Sequence, residues 1–182
     1  MRVVGGALAG RLLQSPPGTA TRPTLDRVRE ALFNVLARRV PGAVVLDLYA
    51  GTGALAIEAL SRGARRADLV DRSRRASSLV RRNLAGLGLA DRATVWTLPA
   101  ERAVERFAPA RFDLVFLDPP WADGVAAPVR QSLRRLLRPD GLAVVESEAP
   151  DTAGDWEQGG LVVMDQRRYG RTHLLFLGPR TS

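Results

Sequence analysis

The 182-residue sequence contains no cysteine and no lysine, and it has a single histidine, His173. The absence of cysteine excludes disulfide bonds, thiolate zinc sites, iron–sulfur clusters and cysteine nucleophiles. The absence of lysine excludes Schiff-base chemistry and a phosphate-binding lysine of the Walker type. A single histidine disfavours a multi-histidine metal site, so we expect no metal cofactor.

Arginine supplies all 27 basic side chains, which outnumber the 19 acidic ones and give a formal net charge of +8. Its planar guanidinium group suits phosphate and guanine edges, so the charge indicates a polyanionic partner. A hydrophobic content of 46% is typical of a folded globular protein. The length predicts one domain over residues 1–182. The apolar start is interrupted by Arg11 and is too short for a membrane span, which favours a cytoplasmic protein without membrane contact. We also expect a monomer.

The pattern of apolar residues predicts a doubly wound α/β fold. Residues 1–22 are expected to form an N-terminal arm with a small β-hairpin (residues 2–5 and 8–14), and residues 23–182 the catalytic core. Pro23 and Thr24 open a first helix. Strands are predicted at residues 44–48, 67–70, 94–98, 112–117 and 142–146, with helices between them at 54–62, 73–87, 100–107 and 129–137. An antiparallel hairpin at 161–165 and 172–177 completes a mostly parallel seven-stranded sheet.

A glycine-rich turn follows the first strand of this core and precedes a helix. Glycines allow a ligand to approach the backbone closely, and an acidic residue at the end of the next strand, Asp71, suits ribose hydroxyls. The spacing of Gly51, Gly53 and Ala56 also satisfies the dinucleotide pattern, so NAD stays an alternative. Asp47, before the turn, favours S-adenosylmethionine because it can receive an ammonium group. The expected cofactor-binding residues here are Asp47, Tyr49, Ala50, Gly51, Thr52, Gly53, Asp71 and Arg72.

The tetrapeptide Asp118-Pro119-Pro120-Trp121 ends the fourth predicted strand. Two prolines cannot continue a central strand, so the chain must leave the sheet at the edge where ligands bind in open α/β sheets. The Asp118 carboxylate and the Pro119 carbonyl can then accept hydrogen bonds from an exocyclic amine of a nucleobase, and Trp121 can stack on the unstacked base. We therefore predict that these four residues form the catalytic site.

Taken together, these motifs resemble the RsmD family of bacterial 16S ribosomal RNA guanine-N2 methyltransferases. The resemblance extends from the opening Arg2-Val3-Val4-Gly5-Gly6 through the helix signature Arg22 to Asn34 and the segment Glu58 to Gly63, and ends at Tyr169-Gly170-x-Thr172. It implies a Rossmann-like class I methyltransferase fold, S-adenosylmethionine as cofactor and small-subunit ribosomal RNA as substrate. Pro99 stands where the family often has an acidic or amide residue, so the adenine contact falls to Ala100 or Glu101.

Several arginines are expected to contact RNA phosphates. Helix N-termini lie near the ligand edge of a parallel sheet, which favours Arg74 and Arg75 directly after Asp71. The resemblance adds Arg22 and Thr24, and the N-terminal Arg2 and Arg11 supply further contacts. Two alternatives stay open: a DNA adenine-N6 or cytosine-N4 methyltransferase, and a non-catalytic RNA-binding factor on a methyltransferase fold.

Overall fold

Seven strands form one sheet in the order β3-β2-β1-β4-β5-β7-β6. The computed structural model describes residues 1–16, 23–120, 124–148 and 153–180. Strands β1 to β5 run parallel, whereas β7 is antiparallel to both β5 and β6. The strands are β1 (Val44–Leu48), β2 (Arg66–Asp71), β3 (Ala93–Thr97), β4 (Phe112–Leu117), β5 (Leu137–Ser147), β6 (Leu161–Tyr169) and β7 (Thr172–Pro179).

Helices cover both faces of the sheet. They are α1 (Pro23–Val35), α2 (Ala54–Ser61), α3 (Arg74–Gly86), α4 (Ala100–Arg106), α5 (Ala127–Leu136) and α6 (Ala153–Glu157). One core contains apolar side chains of α1, α2 and α3, among them Phe33, Ile57 and Val80. The other contains those of α4 and α5, with Val104 and Leu133, and Trp156 of α6. This arrangement confirms the predicted doubly wound α/β fold.

The central strands are continuous apolar runs in the sequence because they are buried on both faces of the sheet. Every residue of β1 is buried, because β1 lies between β2 and β4 and is covered on both faces. Complete burial of one large apolar side chain, such as Phe33 or Phe116, stabilises the fold by about 1.5–3 kcal/mol. The carboxyl ends of the parallel strands consequently meet at one edge that the core holds rigid.

The core differs from the sequence-based prediction mainly in β5, α6 and β6, and β6 continues to Tyr169, beyond the predicted residues 161–165. Strand β5 begins at Leu137, directly after α5, because Leu137 pairs with Phe112 before the register shifts ahead of Leu114. Helix α6 was not predicted, since five residues carry no readable helical period. Its Trp156 is buried, and the Arg130 guanidinium lies 5.9 Å from the Trp156 ring centroid.

The N-terminal segment forms less strand than predicted. One antiparallel bridge joins Arg2 and Leu12, and a 3-10 turn at Gly6–Leu8 stands where the hairpin connection begins. Backbone hydrogen bonds between Val3 and Arg11 and between Leu13 and Met1 flank this bridge. Side chains of α2, described below, also hold the segment in place. Among the described helices, none has the length and apolar character needed to cross a bilayer.

Candidate active site

The loop between β1 and α2 makes a sharp turn at the ligand edge of the sheet. The φ angles of Tyr49, Gly51 and Gly53 are 69°, 55° and 79°. A Cβ atom on Gly53 would lie 3.2 Å from the Leu69 side chain, so both conformation and packing require glycine at that position. A positive φ is strained for a bulky residue such as Tyr49, and such strain occurs mainly at functional sites.

Asp47 lies beneath this turn and is 1% exposed. Its carboxyl group accepts a hydrogen bond of 3.1 Å from the backbone amide of Ala56. Burial raises the pKa of Asp47 from 3.8 to about 8, and the charges of Asp118 and Asp71 act in the same direction. The Ala56 hydrogen bond opposes this shift of the pKa. A cationic ligand group beside Asp47 would favour its ionised form.

Asp71 ends β2 and holds the glycine turn in place. One carboxylate oxygen accepts a hydrogen bond of 2.9 Å from the Gly51 amide, and the other accepts one of 2.8 Å from the Ser73 amide. A carboxylate has about four lone-pair positions, so acceptor capacity remains for a ligand. Asp71 therefore fixes the loop while also lining the adjacent cavity.

A cavity of about 740 Å³ opens at the carboxyl ends of the parallel strands. Its volume lies within the range of small-molecule and cofactor sites. It brings together nine of the fourteen residues that are predicted to bind the cofactor or to form the catalytic site. The predicted residues that line it are Tyr49, Gly51, Asp71, Arg72, Ala100, Glu101, Asp118, Pro119 and Pro120.

A second cavity of about 140 Å³ adjoins the first beneath α1. Asp47, Ala50 and Thr52, three further predicted residues, line this smaller space together with Met1 and Arg29. Gly53 lines neither cavity, since it is buried beneath the turn. The residues that line both cavities are Tyr49, Gly51, Asp118 and Glu146.

The chain leaves the sheet at Asp118, as the two prolines predict. Strand β4 ends at Leu117, and Asp118, Pro119 and Pro120 continue along the wall of the larger cavity. Asp118 is solvent-exposed where it lines this open space, and partial desolvation of its carboxyl group by the neighbouring protein atoms raises its pKa from 3.8 to about 6. Trp121, the fourth predicted catalytic residue, lies outside the described residues.

Glu146 is a site residue that the sequence reading missed. It lies near the end of β5, beside Asp118, and lines both cavities. Burial and the charge of Asp118 raise the pKa of Glu146 from 4.5 to about 8, whereas Arg29 lowers it. The sequence could have indicated Glu146 only by its position at the end of a predicted strand, because the carboxyl end of every parallel strand reaches this same edge.

The far end of the larger cavity has the apolar wall expected for an adenine ring. Pro99 precedes α4 in an extended conformation, and Ala100 begins that helix. Both residues line the cavity together with Glu101. The contact of Ala100 or Glu101 with an adenine ring stays a prediction.

The predicted RNA-contacting arginines are exposed where the structure describes them. Arg74 and Arg75 lie at the start of α3, beside the cavity-lining Arg72, whereas Arg2 and Arg11 lie on the N-terminal segment. Arg22 and the side chain of Thr24 lie outside the described part of the chain.

The N-terminal segment is clasped to α2 by Glu58 and Ser61. The Glu58 carboxylate accepts hydrogen bonds of 2.7 Å from the amides of both Val4 and Gly5. The Ser61 hydroxyl donates to the Gly5 carbonyl at 2.6 Å and accepts from the Leu8 amide at 2.9 Å.

The clasp brings the chain start close to the site. A Cβ on Gly6 would lie 2.1 Å from the Ser61 carbonyl oxygen, so the close approach requires glycine. Met1 consequently lines the smaller cavity, with its sulfur 3.8 Å from the Thr52 hydroxyl.

Comparisons with known proteins agree with this geometry. The family model described as "Conserved hypothetical protein 95" matches residues 1–178. Ribosomal RNA small subunit methyltransferase D of Escherichia coli K12 is 36% identical over 165 residues, which cover 86% of this chain and 81% of that protein. The chain belongs to the RsmD family.

Two further relatives span nearly the whole chain. YlbH of Bacillus subtilis, named as a candidate rRNA methyltransferase, is 39% identical over 180 residues, covering 94% of this chain and 95% of that protein. The structure of yhhF from Escherichia coli, described as a candidate methyltransferase, superimposes with a TM-score of 0.82 at 31% identity. That match covers 100% of this chain and 99% of the other. The predicted RsmD resemblance is therefore confirmed.

The residues that line the two cavities fit S-adenosylmethionine, the cofactor that the sequence predicts. Asp47 offers a buried carboxyl group for the cationic methionine end, and Asp71 offers acceptors for ribose hydroxyls. Pro99 and Ala100 supply an apolar surface for the adenine ring. The carboxyl groups of Asp47, Asp118 and Glu146 line the smaller cavity, and a cationic ligand group bound there would favour their ionised forms.

Proposed function

We propose that the chain methylates small-subunit ribosomal RNA, and that the target is the exocyclic N2 amine of a guanine. The position of Asp118 carries this proposal. Its carboxyl group lies where the cofactor cavity and the smaller cavity meet, at a strand end that two prolines turn out of the sheet. A polar acceptor is thereby held beside the region where a methyl donor would end.

Three groups of residues would each bind a different part of the methyl donor. Asp47 would bind the ammonium group and Asp71 the ribose, while Pro99 and Ala100 would contact the adenine. When bound, S-adenosylmethionine supplies an electrophilic methyl group on a sulfonium sulfur. The residues of the chain fix the direction of approach, and in-line positioning of this kind accounts for a large part of such rate enhancements.

An exocyclic amine is a poor nucleophile because its lone pair is delocalised into the base. The Asp118 carboxylate and the Pro119 carbonyl would accept hydrogen bonds from the N–H groups and favour a pyramidal nitrogen. The nitrogen lone pair then forms the N–C bond while the C–S electron pair stays on sulfur. Asp118 stabilises the charge that develops on nitrogen and is placed to accept the proton that nitrogen releases. With a pKa of about 6, Asp118 is mostly ionised at pH 7 in the free protein.

The target base must leave its stack to reach Asp118. Base flipping of this kind costs a few kcal/mol, which aromatic stacking in the pocket offsets. Trp121 remains our predicted stacking residue. Exposed arginines on the cavity edge, Arg74 and Arg75, would bind the flanking phosphates, and the relatives named for ribosomal RNA support an RNA substrate.

Radiolabelled methyl transfer to small ribosomal subunits that lack the modification tests this function. We expect label in the 16S RNA and N2-methylguanosine on nucleoside mass spectrometry. Asp118→Ala should abolish transfer, whereas Asp91→Ala, which removes an exposed carboxylate far from both cavities, should not. Label in N6-methyladenine or N4-methylcytosine of DNA would contradict the proposal. Subunit binding without transfer would instead favour a non-catalytic RNA-binding factor.

A further inference from the structure

The proposed reaction assigns no role to Glu146, although its carboxyl group lies in the site. It adjoins Asp118 and shares both cavities with it. No hydrogen bond to its side chain comes from the residues that the structure describes. Glu146 is partly buried, and the nearby charge of Asp118 makes its ionisation unfavourable, so its presence in the site calls for a functional account.

Strand register places Glu146 and Asp118 side by side on one face of the sheet. Leu117 pairs with Val145 across β4 and β5, and both side chains pack in the core beneath α4 and α5. Because side chains alternate between the faces of a strand, the following residues point to the opposite face, toward α1. The lining of the smaller cavity agrees, since it combines Asp118 and Glu146 with Arg29 of α1.

The charged and titratable groups around Glu146 come from several elements. Arg29 faces it from α1, and Asp118 faces it from the end of β4. Asp47, Tyr49 and the Met1 terminus line the same smaller cavity. On β7 its partner is the apolar Leu174, followed by His173 opposite Ser147.

These surroundings set the protonation states of the two carboxyl groups. Because burial raises the pKa of Glu146 to about 8 and that of Asp118 to about 6, and the charge of Asp118 raises the pKa of Glu146 further, the two carboxyl groups together hold one proton near pH 7. A neutral carboxyl group has an O–H donor, and the neighbouring carboxylate is an acceptor.

We propose that Glu146 is a positioning residue that acts in its neutral form, donating a hydrogen bond to the Asp118 carboxylate and so holding that carboxylate toward the target amine. This role rests on the proposed methylation at Asp118. A hydrogen bond between an acid and a carboxylate is short and strong, so it fixes the orientation of the acceptor. It also avoids a second negative charge beside Asp118, which would favour a protonated and inactive Asp118.

Three variants separate this role from a structural one. Glu146→Ala removes the donor, Glu146→Gln replaces the O–H donor with an amide N–H of similar size, and Glu148→Gln is the matched control. Glu148 lies on the same strand end, pairs with Arg171 and lines neither cavity. Each variant is assayed at saturating S-adenosylmethionine for kcat and for KM of the RNA, with donor affinity measured by calorimetry.

We expect Glu146→Ala to lower kcat by about 10- to 100-fold, with donor affinity nearly unchanged. Glu146→Gln should restore most of that loss at pH 7. The pH profile gives the sharper readout: the wild-type rate should decline on the alkaline side as Glu146 loses its proton, and this decline should be absent from Glu146→Gln. The control should keep the wild-type rate and pH profile.

Two results would overturn the inference. One is a Glu146→Ala protein with wild-type kcat and pH profile. The other is a Glu146→Gln protein as impaired as Glu146→Ala with the alkaline decline retained, because that would show that the donor at this position is irrelevant. If Glu146→Ala fails to fold, the pH profiles of Glu146→Gln and the wild type still test the inference, because the alkaline decline should be present only in the wild type. Absence of transfer by the wild-type protein itself would refute the proposed function and this role with it, whereas wild-type transfer with an unaffected Glu146→Ala would refute this role alone.

Discussion

The backbone amide of Gly51 donates a hydrogen bond of 2.9 Å to the carboxylate of Asp71. This contact joins the turn after β1 to the end of β2, so the residue proposed to bind ribose also shapes the loop that lies beside the ligand. Binding and loop conformation are therefore coupled through a single carboxylate.

Replacement of Asp71 tests this coupling. Asp71→Ala removes acceptors from both the ribose and the Gly51 amide, and we expect donor affinity to fall by about 10- to 150-fold, as for a charge-assisted hydrogen bond. Asp71→Asn keeps one carbonyl acceptor and should lose less. Calorimetric titration with S-adenosylmethionine measures both, with Asp91→Ala as the surface control. Unchanged affinity in Asp71→Ala would exclude the assigned role.

Donor affinity should depend on pH through Asp47. Because burial raises the pKa of Asp47 to about 8, the free protein holds it protonated at pH 6, and a cation beside it must expel that proton. Affinity should therefore rise between pH 6 and 8, by up to about tenfold per pH unit. Asp47→Asn should bind weakly and show a flatter dependence. The same affinity at pH 6 and pH 8 in the wild type would contradict this reading.

The same raised pKa predicts how stability changes with pH. A carboxyl group whose pKa is higher in the folded than in the unfolded protein contributes stability below about pH 4, and that contribution is lost as pH rises through about 8. Asp47→Asn cannot ionise, so its Tm relative to wild type should be higher at pH 8.5 than at pH 5. Each 1 kcal/mol corresponds to about 2–4 °C for a chain of this length. Thermal unfolding of both proteins at the two pH values measures this.

Loss of the N-terminal clasp should destabilise the fold. Glu58 is buried, holds the Val4 and Gly5 amides, and pairs with Arg62 at 2.8 Å and with the buried Arg29 at 3.6 Å. Glu58→Ala leaves these partners unsatisfied, at a cost of about 3–5 kcal/mol in the free energy of unfolding. Chemical denaturation measures it. The control Glu105→Ala removes an exposed salt bridge with Arg102, so its free energy of unfolding should change little. Equal free energies of unfolding for Glu58→Ala and the wild type would show that the clasp does not stabilise the fold.

RNA affinity should depend on the arginines at the start of α3. The double variant Arg74→Gln/Arg75→Gln should weaken RNA binding and lower the slope of log affinity against log salt by about 1–2, with donor affinity unchanged. Arg65→Gln/Arg66→Gln removes the same charge from the opposite edge of the sheet, near the start of β2. Equal losses in the two double variants would indicate a general charge effect and no defined RNA surface.

Local motifs made much of the site predictable. The turn at Gly51–Gly53 and the Asp118 motif each mark the carboxyl end of a strand in the sequence. A parallel sheet brings these strand ends together at one edge, so the two motifs were expected to meet there. Glu146 was missed because its meaning depends on its neighbour: an acidic residue after an apolar run becomes significant only once the β4–β5 pairing places it beside Asp118. The clasp escaped prediction for the same reason, since Glu58 and Val4 meet only in the folded chain.

The most direct measurement is single-turnover methyl transfer by Asp118→Ala and Asp118→Asn, with donor affinity determined on the same samples. We expect donor affinity close to that of the wild type in both variants. The transfer rate should be lower by about 100-fold or more in Asp118→Ala, comparable to the loss of an oxyanion-hole donor in other enzymes. Asp118→Asn should be intermediate because it retains an acceptor without the charge. A wild-type transfer rate in Asp118→Ala would contradict the account.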